Sequence, residues 1–151
     1  MTGWHLRDSV WLPASPASVF GFFADAQNLE AMTPPWLHFR ILTPLPIDMH
    51  AGTLIDYQIR LHGIRLQWRT EISAWDPPHR FVDEQRRGPY SRWRHEHTFL
   101  AQDGGTLAAD HVEYDVPGGS LVQRLLVTPD LKRIFAFRKQ RLAENFPGAA
   151  I

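Results

Sequence analysis

The sequence predicts an α+β fold: a curved antiparallel sheet of about seven strands, two short helices, and a long C-terminal helix that encloses a cavity against the sheet. Three observations carry this reading. Two short proline-bounded helical segments follow an initial strand, alternation with a period of two occupies the stretch from about Leu37 to Val116, and an apolar stripe with a period of 3.6 closes the chain.

Trp4 to Leu12 reads as the first strand, ended by Pro13. Ser15-Pro16 then opens a helix, because Ser15 can cap it and the missing N–H of Pro16 costs nothing in the first turn. Val19, Phe20 and Phe23 give that helix its apolar face, and a second helix around Asn28 to Met32 stops at Thr33-Pro34-Pro35. Ile55, Tyr57, Ile59 and Leu61 alternate with polar residues, and after a turn at His62-Gly63 so do Ile64, Leu66, Trp68, Thr70 and Ile72. Further strands follow at about Arg80 to Arg87, Ser91 to Gln102 and Thr106 to Val116, and the short turns between them indicate an antiparallel meander. A helical stretch from Ser120 carries Leu121, Val122, Leu125 and Leu126 and meets Thr128-Pro129. A kink, or a new helix start capped by Thr128, is expected there. Beyond it Leu131, Ile134, Phe135, Leu142 and Phe146 share one helix face, which must lie on the apolar face of the sheet.

The chain has no repeat or long linker, and its 151 residues suit one domain spanning positions 1–151. A hydrophobic share of 44% against 21% charged residues belongs to a globular chain rather than a disordered one. Net charge is zero with neutral histidines, which disfavours nucleic acid as a partner. The absence of cysteine removes disulfides, thiolate metal sites and a thiol nucleophile. No apolar run approaches the roughly 20 residues needed to cross a bilayer. The N-terminal residues lack the features of a secretory signal, so a cytoplasmic location is expected. Glycine-rich phosphate loops, Gly-x-Ser-x-Gly elbows and His-Glu-x-x-His motifs are all missing.

The most informative segment is Gly88 to Phe99. Along a strand Trp93, His95, His97 and Phe99 share one face, while Arg92, Arg94, Glu96 and Thr98 share the other. The charged set belongs in water, so both histidines point inward. If Asp103-Gly104 forms a two-residue type I′ turn, Gln102 faces Gly105, His97 faces Asp110, His95 faces Val112 and Trp93 faces Tyr114. A slip of one residue would send Asp110, Val112 and Tyr114 outward. Three chemistries fit this cluster. His97 and Asp110 could simply satisfy each other inside the sheet. His95, His97, Trp68 and Tyr114 could be the polar handles and wall of a ligand cavity. Two histidines and a carboxylate could also hold a non-haem metal. Arg138 is a second anomaly, since it lies within the apolar helix stripe. Its stem can snorkel, or its guanidinium can meet an acidic ligand group, Asp83 or Asp110. Alternation from Phe81 through Asp83 also puts Gln85 inside, and Trp68 and Trp93 are the tryptophans expected at the cavity.

Taken together, several segments resemble the START-like (SRPBCC, Bet v 1-like) helix-grip superfamily, and within it the small bacterial ligand-binding and cyclase/dehydrase-like proteins. The resemblance rests on Ala14-Ser-Pro-Ala-Ser-Val-Phe20, on Asn28-Leu29 before Met32-Thr-Pro-Pro-Trp36, and on Trp75-Asp-Pro-Pro78 with Phe81. It extends to Gly88-Pro-Tyr90 with Trp93, His95, His97 and Phe99, and to Tyr114 before Pro117-Gly-Gly119. It implies a deep cavity for hydrophobic small molecules such as lipids, steroids or polyketides, used by some relatives for cyclase or hydratase chemistry and by others only for binding. No relative's catalytic set matches here residue by residue. The expected function is therefore ligand binding without a cofactor or metal. Tyr57, Trp68, Gln85, Trp93, His95, His97, Tyr114, Phe135 and Arg138 are the expected ligand-binding residues. The alternatives are a cyclase or dehydratase with the His97–Asp110 pair as general base, and an interaction module with no ligand.

Overall fold

The computed structural model describes residues 3–150. Its strands are β1 (Trp4–Leu12), β2 (Arg40–Ile41), β3 (Leu54–Leu61), β4 (Ile64–Asp76), β5 (Arg80–Arg87), β6 (Arg92–Gln102) and β7 (Gly105–Asp115). All pair antiparallel in one seven-stranded sheet of order β1-β7-β6-β5-β4-β3-β2. The meander is as expected from alternation. The pairing that period alone does not supply is β1 against β7, which joins the two ends of the sheet-forming chain and sets Asp8 opposite Asp110.

The turn chemistry behaves as its residue types require. Asp103 and Gly104 both take positive φ (49° and 75°), as a type I′ turn demands, and the β6–β7 register matches the expected one at Gln102–Gly105, His97–Asp110, His95–Val112 and Trp93–Tyr114. Gly105 is needed for a different reason: a Cβ there would stand 2.3 Å from the Leu12 carbonyl oxygen of the neighbouring β1. Two register shifts between β4 and β5, at Arg69/Thr70 and Ile72/Ala74, bend the sheet.

Helix α1 (Pro16–Ala24) is capped by Ser15, whose side chain accepts from the Ser18 amide, and α2 (Ala26–Ala31) is capped by Asp25 in the same way, through the Gln27 amide. The C-terminal helical run has three parts: α3 (Gly119–Val122), a π-turn (Gln123–Val127) and α4 (Thr128–Asn145). The expected fresh start capped by Thr128 is not what forms. Val127 and Thr128 keep helical dihedrals, and the missing N–H of Pro129 is accommodated by the wider π-turn before it. The Thr128 hydroxyl instead accepts from Gln123 Nε2 at 2.7 Å.

The apolar interior falls into two clusters. One gathers Val10, Leu12, Val19, Phe20, Phe81, Phe99 and Leu142, and the other Val112, Tyr114, Val116, Leu131 and Phe135. Along β7 the boundary between them lies from Ala108 to Val112, and along α4 from Phe135 to Leu142. Asp110 and Arg138 occupy those two intervals. A polar layer therefore crosses the core at mid-height.

Candidate functional site

The polar layer is built from four strand residues and one helix residue. Asp83 comes from β5, His95 and His97 from β6, Asp110 from β7 and Arg138 from α4. His95 and His97 face inward because their alternates on β6, Arg94 and Glu96, are charged and partly exposed, and Asp83 and Asp110 share that face as their cross-strand partners. His95 Nε2 lies 2.8 Å from Asp110 Oδ1, and His97 Nε2 lies 2.7 Å from Asp83 Oδ2. Arg138 Nη2 approaches Asp110 Oδ1 to 3.1 Å. Both short histidine bonds run diagonally, since the direct cross-strand partners are His97 with Asp110 and His95 with Asp83. The expected His97–Asp110 contact survives only as a longer one, from Nδ1 at 3.4 Å. The imidazoles stack on each other with centroids 3.7 Å apart, and Phe81 stacks on the far face of His97 at 4.1 Å.

Charge counting explains the protonation pattern. Two carboxylates against one guanidinium leave one negative charge in a buried layer, and one added proton cancels it. Two stacked imidazoles cannot both hold that proton cheaply. Burial opposes charge on His97, but hydrogen bonds to Asp110 and Asp83 outweigh it and raise its pKa above the usual 6.5. Its Nε2 lies 2.7 Å from Asp83, and its Nδ1 stands between Asp110 at 3.4 Å and Arg138 Nη2 at 3.5 Å. Burial and the neighbouring His97 charge push His95 below 6.5. Burial pushes Asp110 up, yet the Arg138 charge and the two histidine hydrogen bonds hold it well below the usual carboxylate range. Asp83 is likewise lowered, against its burial, chiefly by its bond from His97.

The His97 contribution to stability is full below 6.5 and is lost as pH rises through its raised folded value, whereas His95 opposes folding as pH falls below 6.5. In a histidine-ring NMR titration, His97 should remain protonated above the pH at which free imidazole titrates, while His95 remains neutral below it. Joint titration of both rings near the ordinary value would refute the shared-proton arrangement.

An aromatic wall adjoins the layer. Tyr57 stacks on Trp68 at 5.7 Å, and Trp68 meets Tyr90 and Trp93 edge-on at 5.6 Å. Burial, then the nearby Asp83 and Tyr90, hold the Tyr57 hydroxyl well above its usual pKa. Two buried donors in this interior, Trp68 Nε1 and Arg138 Nε, have no acceptor among the described residues.

An open groove of about 540 Å³ lies one strand further along, between β1, the end of β7, and the helical run. Leu6, Tyr114, Leu131, Phe135 and Ala136 form its apolar surface, and Arg7, Lys132 and Lys139 stand at its rim. Lys139 Nζ spans to Asp8 at 2.7 Å. Phe135 divides the groove from the polar layer: it lines the groove on one side, while the His95 ring lies 5.8 Å from it on the other.

A family model described as polyketide cyclase/dehydrase and lipid transport matches residues 12–143. The chain belongs to the polyketide cyclase/dehydrase and lipid transport family. Solved structures agree on the fold of this family member. The Zhui aromatase/cyclase from Streptomyces sp. R1128 is similar with a TM-score of 0.74 at 13% identity, over 94% of this chain and 92% of that one. Major latex-like protein 151 from Panax ginseng gives 0.71 at 8% identity, over 97% and 99%. TTHA0849 from Thermus thermophilus gives 0.71 at 17% identity, over 94% and 99%. Among curated proteins no sequence matches this chain. The Bet v 1-like superfamily and fold expected from the sequence are thereby borne out.

In this polyketide cyclase/dehydrase-family chain the residues expected at the site divide into three groups. Tyr114 and Phe135 line the groove. Trp93, His95, His97 and Arg138 lie behind it, in the polar layer and its aromatic flank, whereas Tyr57 and Trp68 line a second open groove of about 480 Å³ beside Leu42, Leu54 and the Asp56–Arg69 ion pair. Gln85 is not available as a polar handle, because its amide is used at both ends on the Tyr90 backbone, accepting at 3.1 Å and donating at 2.8 Å. Sequence reasoning missed Asp83 as the partner of His97, although its alternation with Phe81 already put it inside. It also missed the groove residues of β1, since no local signal joins β1 to β7.

Among the described residues two sets have metal-ligand chemistry. Asp83, His95 and His97 bring one donor each within 4.8 Å of one another, but His97 already binds Asp83 and His95 already binds Asp110. His5, His111 and Glu113 do the same on the outer face, where Arg92 already binds Glu113 at 2.8 Å. Among the described residues no helix is long and apolar enough to cross a membrane.

Proposed function

We propose that this protein binds an apolar, acid-bearing small molecule in the groove between β1 and α4. The observation that carries the reading is the groove itself: apolar walls of several hundred Å³ under a cationic rim, the usual make-up of a small-molecule site. Lys132, Lys139 and Arg7 would meet the acid group, and Leu6, Leu131, Tyr114 and Phe135 the apolar body. A displacement of the Phe135 ring would extend the site to His95, His97 and Arg138, and further in to Trp93, Trp68 and Tyr57. There the unpaired N–H groups of Trp68 and Arg138 call for acceptors that a ligand oxygen could supply. The family description, which joins cyclase or dehydrase chemistry to lipid transport, supports an apolar ligand.

The enzymatic alternative asks His97 and Asp110 to act as general base. A base must reach its substrate, and His95 and His97 are only 5% and 6% exposed and do not line the groove. Their bonds are spent on holding charges together. Binding is therefore the better-supported reading.

Native mass spectrometry of untagged protein should reveal a co-purified apolar acid, and a thermal-shift screen of fatty and aromatic acids should find members that raise Tm. A ligand-free protein whose Tm ignores the whole screen would overturn the proposal.

A further inference from the structure

The antiparallel order places three segments at one end of the sheet: the β3–β4 hairpin tip, the β5–β6 loop, and the α3–π segment that follows β7. That end carries apolar side chains which the core does not use. Ile64 is 63% exposed, Leu121 57%, Leu125 61% and Leu126 50%. Ile64 lies on the inward-facing register of β4 and is left uncovered at the hairpin tip. The tip is tied to the helical run by His62 Nε2 and Asp130 Oδ2 at 2.8 Å. The four residues thus sit on two segments clasped together, and an exposed apolar patch of this kind marks a contact surface.

Arginines stand beside the patch, two of them on the outer face of the same hairpin tip. Arg60 and Arg65 face each other directly across the hairpin, and Arg124 lies between Leu121 and Leu125 in the α3–π segment. None of these three has a carboxylate partner among the described residues. Like charges placed directly opposite are unfavourable without a counter-charge, and the neighbouring Asp130 is already held by His62. Gln123 and Thr128, from the same helical run, line the groove.

We propose that this end docks on an anionic phospholipid surface, with Leu121, Leu125, Leu126 and Ile64 entering the headgroup boundary and Arg60, Arg65 and Arg124 pairing with lipid phosphates. An interfacial helix rich in leucine on one side and arginine beside it behaves in this way, and each basic residue near an anionic leaflet adds to the attraction. A second copy of the chain fits the patch less well. A two-fold contact sets each patch against itself, bringing the unpaired arginines together instead of neutralising them. Docking brings the groove-lining helical run to the lipid surface, but it stands on the patch and its charges rather than on what the groove holds.

The test is co-sedimentation of the full chain with vesicles of phosphatidylcholine alone and of phosphatidylcholine mixed with phosphatidylglycerol. The wild type should bind the anionic vesicles, and added salt should release it. Leu125→Ser with Leu126→Ser, and separately Arg124→Glu, should weaken that binding by about tenfold or more. These positions are exposed, so Tm should hold. Groove binding of a soluble probe should also be unchanged in these variants, which separates failure of this proposal from failure of the groove reading. Equal binding of variants and wild type, or no binding to anionic vesicles, would overturn the proposal. So would concentration-dependent dimerisation in sedimentation velocity that the leucine substitutions abolish, in the absence of vesicle binding.

Discussion

An Asp110→Ala protein is expected to unfold with about 3–5 kcal/mol less free energy than the wild type. Asp110 accepts from His95 at 2.8 Å and is ion-paired with Arg138 at 3.1 Å, and its side chain is only 11% exposed. Removing it leaves the Arg138 guanidinium buried against an aromatic surface, with Phe23 and Phe135 5.2 and 5.7 Å away, and Nε still unpartnered. Asp83 cannot take over, because His97 holds it at 2.7 Å. Most of the loss should be recovered in Asp110→Ala/Arg138→Met, where the uncompensated charge has gone. Urea denaturation at neutral pH measures both. A loss below about 1 kcal/mol, as for exposed ion pairs, would mean that the layer does not act as one buried ionic unit. The acid limb gives an independent check. The folded pKa values of Asp83 and Asp110 lie below the ordinary 3.8, so their stabilisation is full above that value and is lost as pH falls through the folded values. Part of that acid sensitivity should vanish with Asp110.

Ala136→Trp should weaken ligand binding strongly while leaving the fold intact. Ala136 is exposed on α4 and lines the groove, so an indole there occupies the cavity without displacing core side chains. With 8-anilinonaphthalene-1-sulfonate as an apolar, acid-bearing probe, affinity should fall by about tenfold or more, equivalent to about 1.4 kcal/mol. Tm should remain that of the wild type. Lys139→Glu, which reverses a rim charge and breaks the 2.7 Å contact with Asp8, should weaken the anionic probe more than a neutral dye such as Nile red. Leu125→Ser serves as a control for probe adsorbed on the exposed leucine patch. Unchanged affinity in Ala136→Trp would remove the groove from consideration as the binding site.

Much of this architecture was legible in the chain because its signals are local. Proline and serine placement located α1, alternation located the strands, and Asp103-Gly104 set the β6–β7 register, which in turn put His95, His97 and Asp110 on one face. Where the reading fell short, the decisive contact was long-range. The hydrogen bonds of the histidines follow side-chain reach across two strand pairs at once, so each imidazole takes the diagonal carboxylate rather than the one opposite. Gln85 was rightly turned inward, but the Tyr90 backbone, brought round by the β5–β6 loop, claims its amide.

What the sequence determined by itself is the α+β fold, the inward face of β6 and β7, and the placement of Arg138 in the apolar helix stripe, all consequences of residue periodicity. Tertiary structure alone decided that these residues form a charge-paired layer between two apolar clusters, and that an open groove lies beside it along β1. The reason is that β1 and β7 lie about a hundred residues apart in the chain. Their pairing closes one side of the groove through contacts that no local pattern encodes.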